Sequence, residues 1–165
     1  MTNVPSQHRW QGARGEWLVV VQVLLCGLVM FGPRQAYGYP VWPFPSGGAS
    51  LAVGGLLMVA GSALFLAGVL RQGRGLTALP YPRSGATLIQ SGPYALVRHP
   101  MYSGLLAAGF GWAVFVQSGL TLAYAAALFA FLDRKSRREE GWLLERFPAY
   151  REYQQRVRRL VPFFY

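Results

Sequence analysis

The run from Ser50 to Leu70 is 21 residues long and carries no charge. At 1.5 Å per residue, a helix of that length covers the roughly 30 Å hydrocarbon core of a bilayer. A membrane helix is therefore the first constraint on the fold. Its small residues, including Gly54, Gly55, Gly61 and Gly68, predict close contact with a neighbouring helix.

Other apolar runs follow the same logic. Trp17 to Phe31 is apolar apart from Gln22, and Trp10 and Trp17 flank it as interfacial residues. The basic residues before it also resemble a signal peptide, but "GPRQAYGYP" offers no clear small-x-small cleavage site. Residues 32–49 hold four prolines and several aromatics, which predicts an interfacial loop. Tyr102 to Leu132 is too long for one ordinary span, and "QSG" at 117–119 is a turn signal near its middle. A tight helical hairpin over about 102–116 and 120–132 is expected. From Asp133 the chain is charged and aromatic. Trp142, Leu143, Phe147 and Tyr150 recur at helical spacing until Pro148 interrupts them, so the last span is expected to extend into an amphipathic, interfacial tail. The predicted fold is thus an all-α integral membrane helical bundle. It has about four transmembrane spans, including a C-terminal hairpin, plus the amphipathic tail. Residues 1–165 are expected to form one membrane domain, with two spans in 1–70 and the remaining spans and the tail in 71–165.

The formal net charge of +10, from 15 arginines and Lys135 against six acids, could serve nucleic acid or an anionic membrane surface. The charges sit between long apolar runs, which excludes a soluble basic nucleic-acid domain. Arginines concentrate at the N-terminus, in 71–101 and in the tail. The positive-inside rule therefore puts both termini and the 71–101 segment on the cytoplasmic side. The single cysteine, Cys26, and two histidines, His8 and His99, rule out an intrachain disulfide and give no metal-site pattern. No Rossmann, P-loop, zincin or nucleophile-elbow motif is present.

Two polar stretches remain. In "SGPYALVRHPMYSG", residues 91–104, Arg98 and His99 stand where an apolar helix begins, and Pro100 suits its first turn. Snorkelling and capping account for such residues, and so does a ligand site for a carboxylate or phosphate. In "RREE", residues 137–140, Lys135 and Glu139 share a helix face, with Glu140 rotated about 100° away. This is either a solvated charge run or a carboxylate turned inward to a cation.

Taken together, "LIQSGPYALVRHPMYSG" and, after a helical hairpin, "REEGWLLERFPAYREYQQRVRRLVPFF" resemble the isoprenylcysteine carboxyl methyltransferase and phospholipid methyltransferase superfamily. The resemblance covers about residues 85–165. It implies a cytoplasm-facing pocket for S-adenosyl-L-methionine. By position, Thr87, Leu88 and Ile89 would line the cofactor, and Tyr94, His99, Pro100, Met101 and Tyr102 would close around it. Glu139 would bind it. Arg98, His99 and Glu139 are the expected catalytic set. Cationic sulfonium and ammonium groups suit Glu139 and aromatic faces, and the cofactor carboxylate suits Arg98 or His99.

Two positions depart from the family pattern. Lys135 stands where the isoprenylcysteine enzymes hold substrate with an arginine, and Ala86 stands where a histidine lines the cofactor. Lys135 and Arg138 become the expected substrate-binding residues, though lysine lacks the bidentate grip of arginine. The expected acceptor is lipophilic or lipidated and enters from the bilayer. An isoprenylcysteine-type carboxylate comes first, then a phospholipid amine, then another hydrophobic or thiol acceptor. An amine would need a base, and His99 is the one titratable candidate in the matched motif. A sterol-reductase-like relative should be larger. A small basic protein that binds anionic lipid would explain the arginines but not the spacing of Tyr94, Arg98, His99 and Glu139. The compact length and lack of organelle signals point to a bacterial or archaeal inner membrane.

Overall fold

A computed structural model describes residues 16–35, 42, 47–73 and 87–165. Most of the expected interfacial loop lies outside these residues, as do Trp10, Arg74, Arg83 and Ala86. The described chain is helical, in the order α1 (Glu16–Phe31), α2 (Gly48–Gln72), α3 (Pro93–Leu96), α4 (Pro100–Phe115), α5 (Gly119–Arg146) and α6 (Tyr150–Arg156). One parallel bridge, Val97 to Arg158, is its only strand-like pairing among the described residues.

Of the described helices, α2 alone is long and apolar enough to cross a bilayer by length and composition. Only 17% of its most apolar window is buried, whereas the core helix of a soluble domain is mostly buried. Its Leu51, Val53, Leu56, Val59, Leu66 and Leu70 face outward, as lipid-facing residues do. The helices α1 and α4 have 16 residues each, about 24 Å of rise. α5 starts apolar and runs on without a break into its charged half.

The buried face of α2 is made of glycine. Gly54, Gly61 and Gly68 recur every seventh residue and meet α4 in antiparallel register. A Cβ on Gly61 would stand 2.5 Å from the Ala108 nitrogen and 2.6 Å from the Gly104 carbonyl oxygen. Neither atom can move without moving the helix. The fourth glycine singled out in the sequence, Gly55, points into open space. Gly61→Ala is therefore expected to cost stability at or above the upper end of about 1–3 kcal/mol, with Gly55→Ala close to neutral. Thermal unfolding of the two variants side by side checks this.

The expected hairpin is present. α4 ends at Phe115, Gln117 adopts a positive φ of 52°, and Ser118 caps α5 by accepting a hydrogen bond from the Thr121 amide. α5 stops at Arg146, before Pro148, as the missing proline donor requires. Beyond it the tail does more than lie on a surface. It folds back on the bundle, with Tyr150, Tyr153 and Leu160 buried and Leu160 in the core beside Val29, Leu106, Leu128 and Leu132. The register of contacts makes α1 and α4 run one way, and α2 and α5 the other: Gln22 meets Lys135, Gly32 meets Tyr124, and Gly68 meets Met101. Hence the end of α2, the α3–α4 junction, the charged half of α5 and the tail gather at one end of the bundle.

Candidate active site

The α3–α4 junction is extended, and the tail pairs with it. The Arg98 amide donates to the Arg158 carbonyl at 2.8 Å, and the His99 amide to that of Arg159 at 3.1 Å. Pro100 then opens α4 at a position that needs no amide donor. This fixes Arg98 and His99 opposite Glu139 and Glu140 on α5.

The two glutamates face different partners. Glu140 receives Arg98 through two hydrogen bonds, Nε to Oε1 at 2.7 Å and Nη2 to Oε2 at 3.2 Å. His99 Nε2 lies 3.2 Å from its Oε1, and Gln154 Nε2 donates to its Oε2 at 2.9 Å. Arg159 Nε stands 3.6 Å from the same oxygen. Arg98 also donates through Nη1 to the carbonyls of Gln154 and Val157. The Arg98 guanidinium, for which snorkelling and a ligand site were both open in the sequence, is thus engaged by Glu140 and by the tail backbone. Its place is between elements, where it ties the tail to α5.

Glu139 is differently placed. Tyr102 donates to its Oε1 at 2.6 Å, the one hydrogen bond to this carboxylate among the described residues. The nearest cationic or potentially cationic groups stand farther off, His99 Nδ1 at 3.6 Å from Oε2 and Lys135 Nζ at 4.0 Å from Oε1. The His99 and Tyr102 rings are parallel to within 1°, with centroids 5.4 Å apart. The result is a buried carboxylate beside aromatic faces, whose ion pairs with His99 and Lys135 are long ones. A cationic ligand suits that environment.

Electrostatics separates the pair. Burial pushes the Glu139 carboxyl above its ordinary 4.5, and His99, the Tyr102 hydroxyl and Lys135 offset this only in part. Burial acts on Glu140 in the same direction, but the hydrogen bonds and charges of His99 and Arg98 outweigh it and hold the carboxyl at about 2. Burial also lowers the Lys135 ammonium from its ordinary value, partly opposed by Glu139.

The other expected residues are only partly assembled. Tyr94 donates to Gln72 Oε1 at 2.8 Å, tying α3 to the end of α2, and burial pushes its hydroxyl up to about 12. Its carbonyl accepts from Tyr153. Pro100 and Met101 pack against Gly68 of α2. Thr87, Leu88 and Ile89 lie in the extended segment before α3, with Leu88 and Ile89 half-buried. Lys135 is 3% exposed, donates to Gln22 Oε1 at 2.6 Å and stands over the Tyr102 ring. Arg138 is exposed and stacks on Trp142, away from the carboxylates. Sequence reasoning missed Glu140, Gln154, Arg159 and Gln22. The lone polar residue in an apolar run was the available signal for Gln22. Among the described residues, no three His, Cys, Asp or Glu side chains gather as metal ligands.

The described helices thus bring one polar cluster together at the end of the bundle. The chain belongs to the phospholipid methyltransferase family, whose model matches residues 49–149, within the superfamily shared with the isoprenylcysteine carboxyl methyltransferases. The cobalt-zinc-cadmium resistance protein CzcN of Cupriavidus metallidurans is 32% identical over 98% of this chain and 67% of its own length. A probable protein-S-isoprenylcysteine O-methyltransferase of Oryza sativa subsp. indica is 32% identical over 67% of this chain. The structure of the eukaryotic intramembrane Ras methyltransferase ICMT superposes with a TM-score of 0.65 at 22% identity, covering 94% of this chain. The chain spans 60% of the rice relative and 55% of the solved one.

Proposed function

We propose that this chain transfers a methyl group from S-adenosyl-L-methionine to a lipophilic acceptor, with an isoprenylcysteine-type carboxylate as the favoured acceptor class. The observation that carries the cofactor reading is Glu139, buried, raised in pKa and approached by the chain's own cationic groups no closer than 3.6 Å. Glu139 would hold the sulfonium or ammonium end of the cofactor, which would bring a closer positive charge and an activated methyl group. Tyr102 orients the Glu139 carboxylate through its hydrogen bond, and the His99 and Tyr102 rings offer flat faces beside it. Arg98 and Glu140 hold the tail over this end of the bundle and help exclude water. Lys135 offers a point charge to an anionic acceptor at the membrane end of the site.

The environment of His99 bears on the acceptor. Both ring nitrogens face carboxylates, Nδ1 toward Glu139 and Nε2 toward Glu140. A ring held this way is poorly presented to take a proton from an amine. A carboxylate acceptor needs no base, because it is already nucleophilic at neutral pH. Positioning is then the main contribution of the protein. Phospholipid amine methylation remains the second reading, on the strength of the family match. Active site and termini are taken to face the cytoplasm, on the distribution of arginines.

The acceptor is tested by supplying radiolabelled methyl donor to protein in nanodiscs containing either a farnesylcysteine carboxylate or phosphatidylethanolamine. Base-labile label on the prenylcysteine, as expected of a methyl ester, supports the reading. Label on the phospholipid amine alone would replace it with the second.

A further inference from the structure

The one polar side chain inside the apolar run of α1 reaches the site. Gln22 Oε1 accepts a 2.6 Å hydrogen bond from Lys135 Nζ, whose ammonium also lies 5.0 Å from the centroid of the Tyr102 ring. One turn further along α5, Glu139 Oε1 stands 4.0 Å from the same ammonium. Both side chains are buried, at 3% exposure for Lys135 and 8% for Glu139. A lysine and a glutamate four apart on a helix readily pair, and burial strengthens their attraction. Yet the pair is a long one, at the outer limit of an ion pair. Gln22 draws the ammonium toward α1, and the Tyr102 hydroxyl occupies the nearer carboxylate oxygen.

We propose that Gln22 is a positioning residue that holds Lys135 off Glu139, keeping that carboxylate available to the cationic end of the cofactor. The proposal rests on the S-adenosylmethionine reading above. A bound cation and Lys135 compete for one negative charge. Removing the Gln22 acceptor leaves a buried ammonium short of a partner, which is costly. A shift of about 1 Å would bring it into hydrogen-bond contact with Glu139. The site would then be neutralised from within. The same geometry gives α1, otherwise a generic apolar helix, a defined part in cofactor binding.

The test is calorimetric titration of S-adenosylmethionine and its demethylated product into nanodisc-embedded protein. The variants are Gln22→Leu, Lys135→Met and the double substitution. Leucine is close in size and suits an apolar helix, so folding is expected to survive. Gln22→Leu should weaken binding about tenfold or more, on the scale of a hydrogen bond to a charged group. Lys135→Met should not weaken it. The double variant should bind like Lys135→Met, because the competitor is gone. Binding of Gln22→Leu equal to wild type would overturn the proposal. So would a Gln22→Leu loss of the same size in the Lys135→Met background, which marks a packing role. Failure of the wild type to bind would overturn the cofactor reading itself, and this proposal with it.

Discussion

Glu139→Gln is expected to bind S-adenosylmethionine roughly 10–100-fold more weakly than wild type, the scale of losing a charge-assisted contact. The substitution keeps the shape of the side chain and an oxygen for the Tyr102 hydroxyl, so the fold should hold. What it removes is the charge. Equilibrium dialysis with labelled cofactor measures the loss without any need for an acceptor. The pH dependence follows from the raised carboxyl. Below its folded pKa, Glu139 is protonated and offers a cation nothing; above it, the carboxylate is formed and binding is full. Wild-type affinity should therefore rise with pH above the ordinary 4.5 of a glutamate, and binding near this titration should release protons. The Glu139→Gln variant should show neither effect. A Gln variant that binds like wild type would remove Glu139 from the site.

The second large effect concerns stability. Arg98 and Glu140 form a bidentate pair with both side chains 7% exposed. Breaking a buried pair by removing one partner costs about 3–5 kcal/mol, because the other charge is stranded. Arg98→Ala should show a loss of this size and should also release the tail, since Arg98 holds the Gln154 and Val157 carbonyls. Protease sensitivity confined to residues 147–165 would report that release. Arg138→Ala, on an exposed side chain, should stay within about 0.5 kcal/mol of wild type. The Glu140 carboxyl is depressed in the folded state, so its contribution is complete above the ordinary 4.5 and is lost as pH falls toward about 2. Acid unfolding monitored by circular dichroism should steepen in that window, and Glu140→Gln should flatten it.

Local signals in the sequence located the helices well. The uncharged run became α2, Gln117 to Gly119 became the hairpin turn, Pro100 opened α4 and Pro148 followed the end of α5. Each of these depends on residues close in sequence. Three of the four highlighted glycines proved to be contact points, and their spacing of seven distinguishes them from Gly55. Of the expected four spans, the structure shows a helical bundle in which α2 alone among the described helices is both long and apolar enough to cross a bilayer. The site was legible in part. Lys135 and Glu139 share a face as their spacing of four suggested, while the grouping of His99 and Tyr102 with Glu139 was implied only by the family resemblance. The pairing of Arg98 with Glu140 could not be read locally, because the two lie 42 residues apart and Glu140 sits next to a glutamate with different partners. The 100° turn between Glu139 and Glu140 could be read from sequence, but which face met which neighbour depended on how the tail folded back. Gln22 was visible as an anomaly, without a partner until α1 packed against α5.

The central claim is that the buried carboxylate end of this bundle binds S-adenosylmethionine. Calorimetric titration of the wild-type protein with the cofactor and its demethylated product, in detergent and in nanodiscs, tests it most directly. Saturable micromolar binding of both is the expected result. A well-folded sample that binds neither in either environment would contradict it and reduce the family relationship to one of fold.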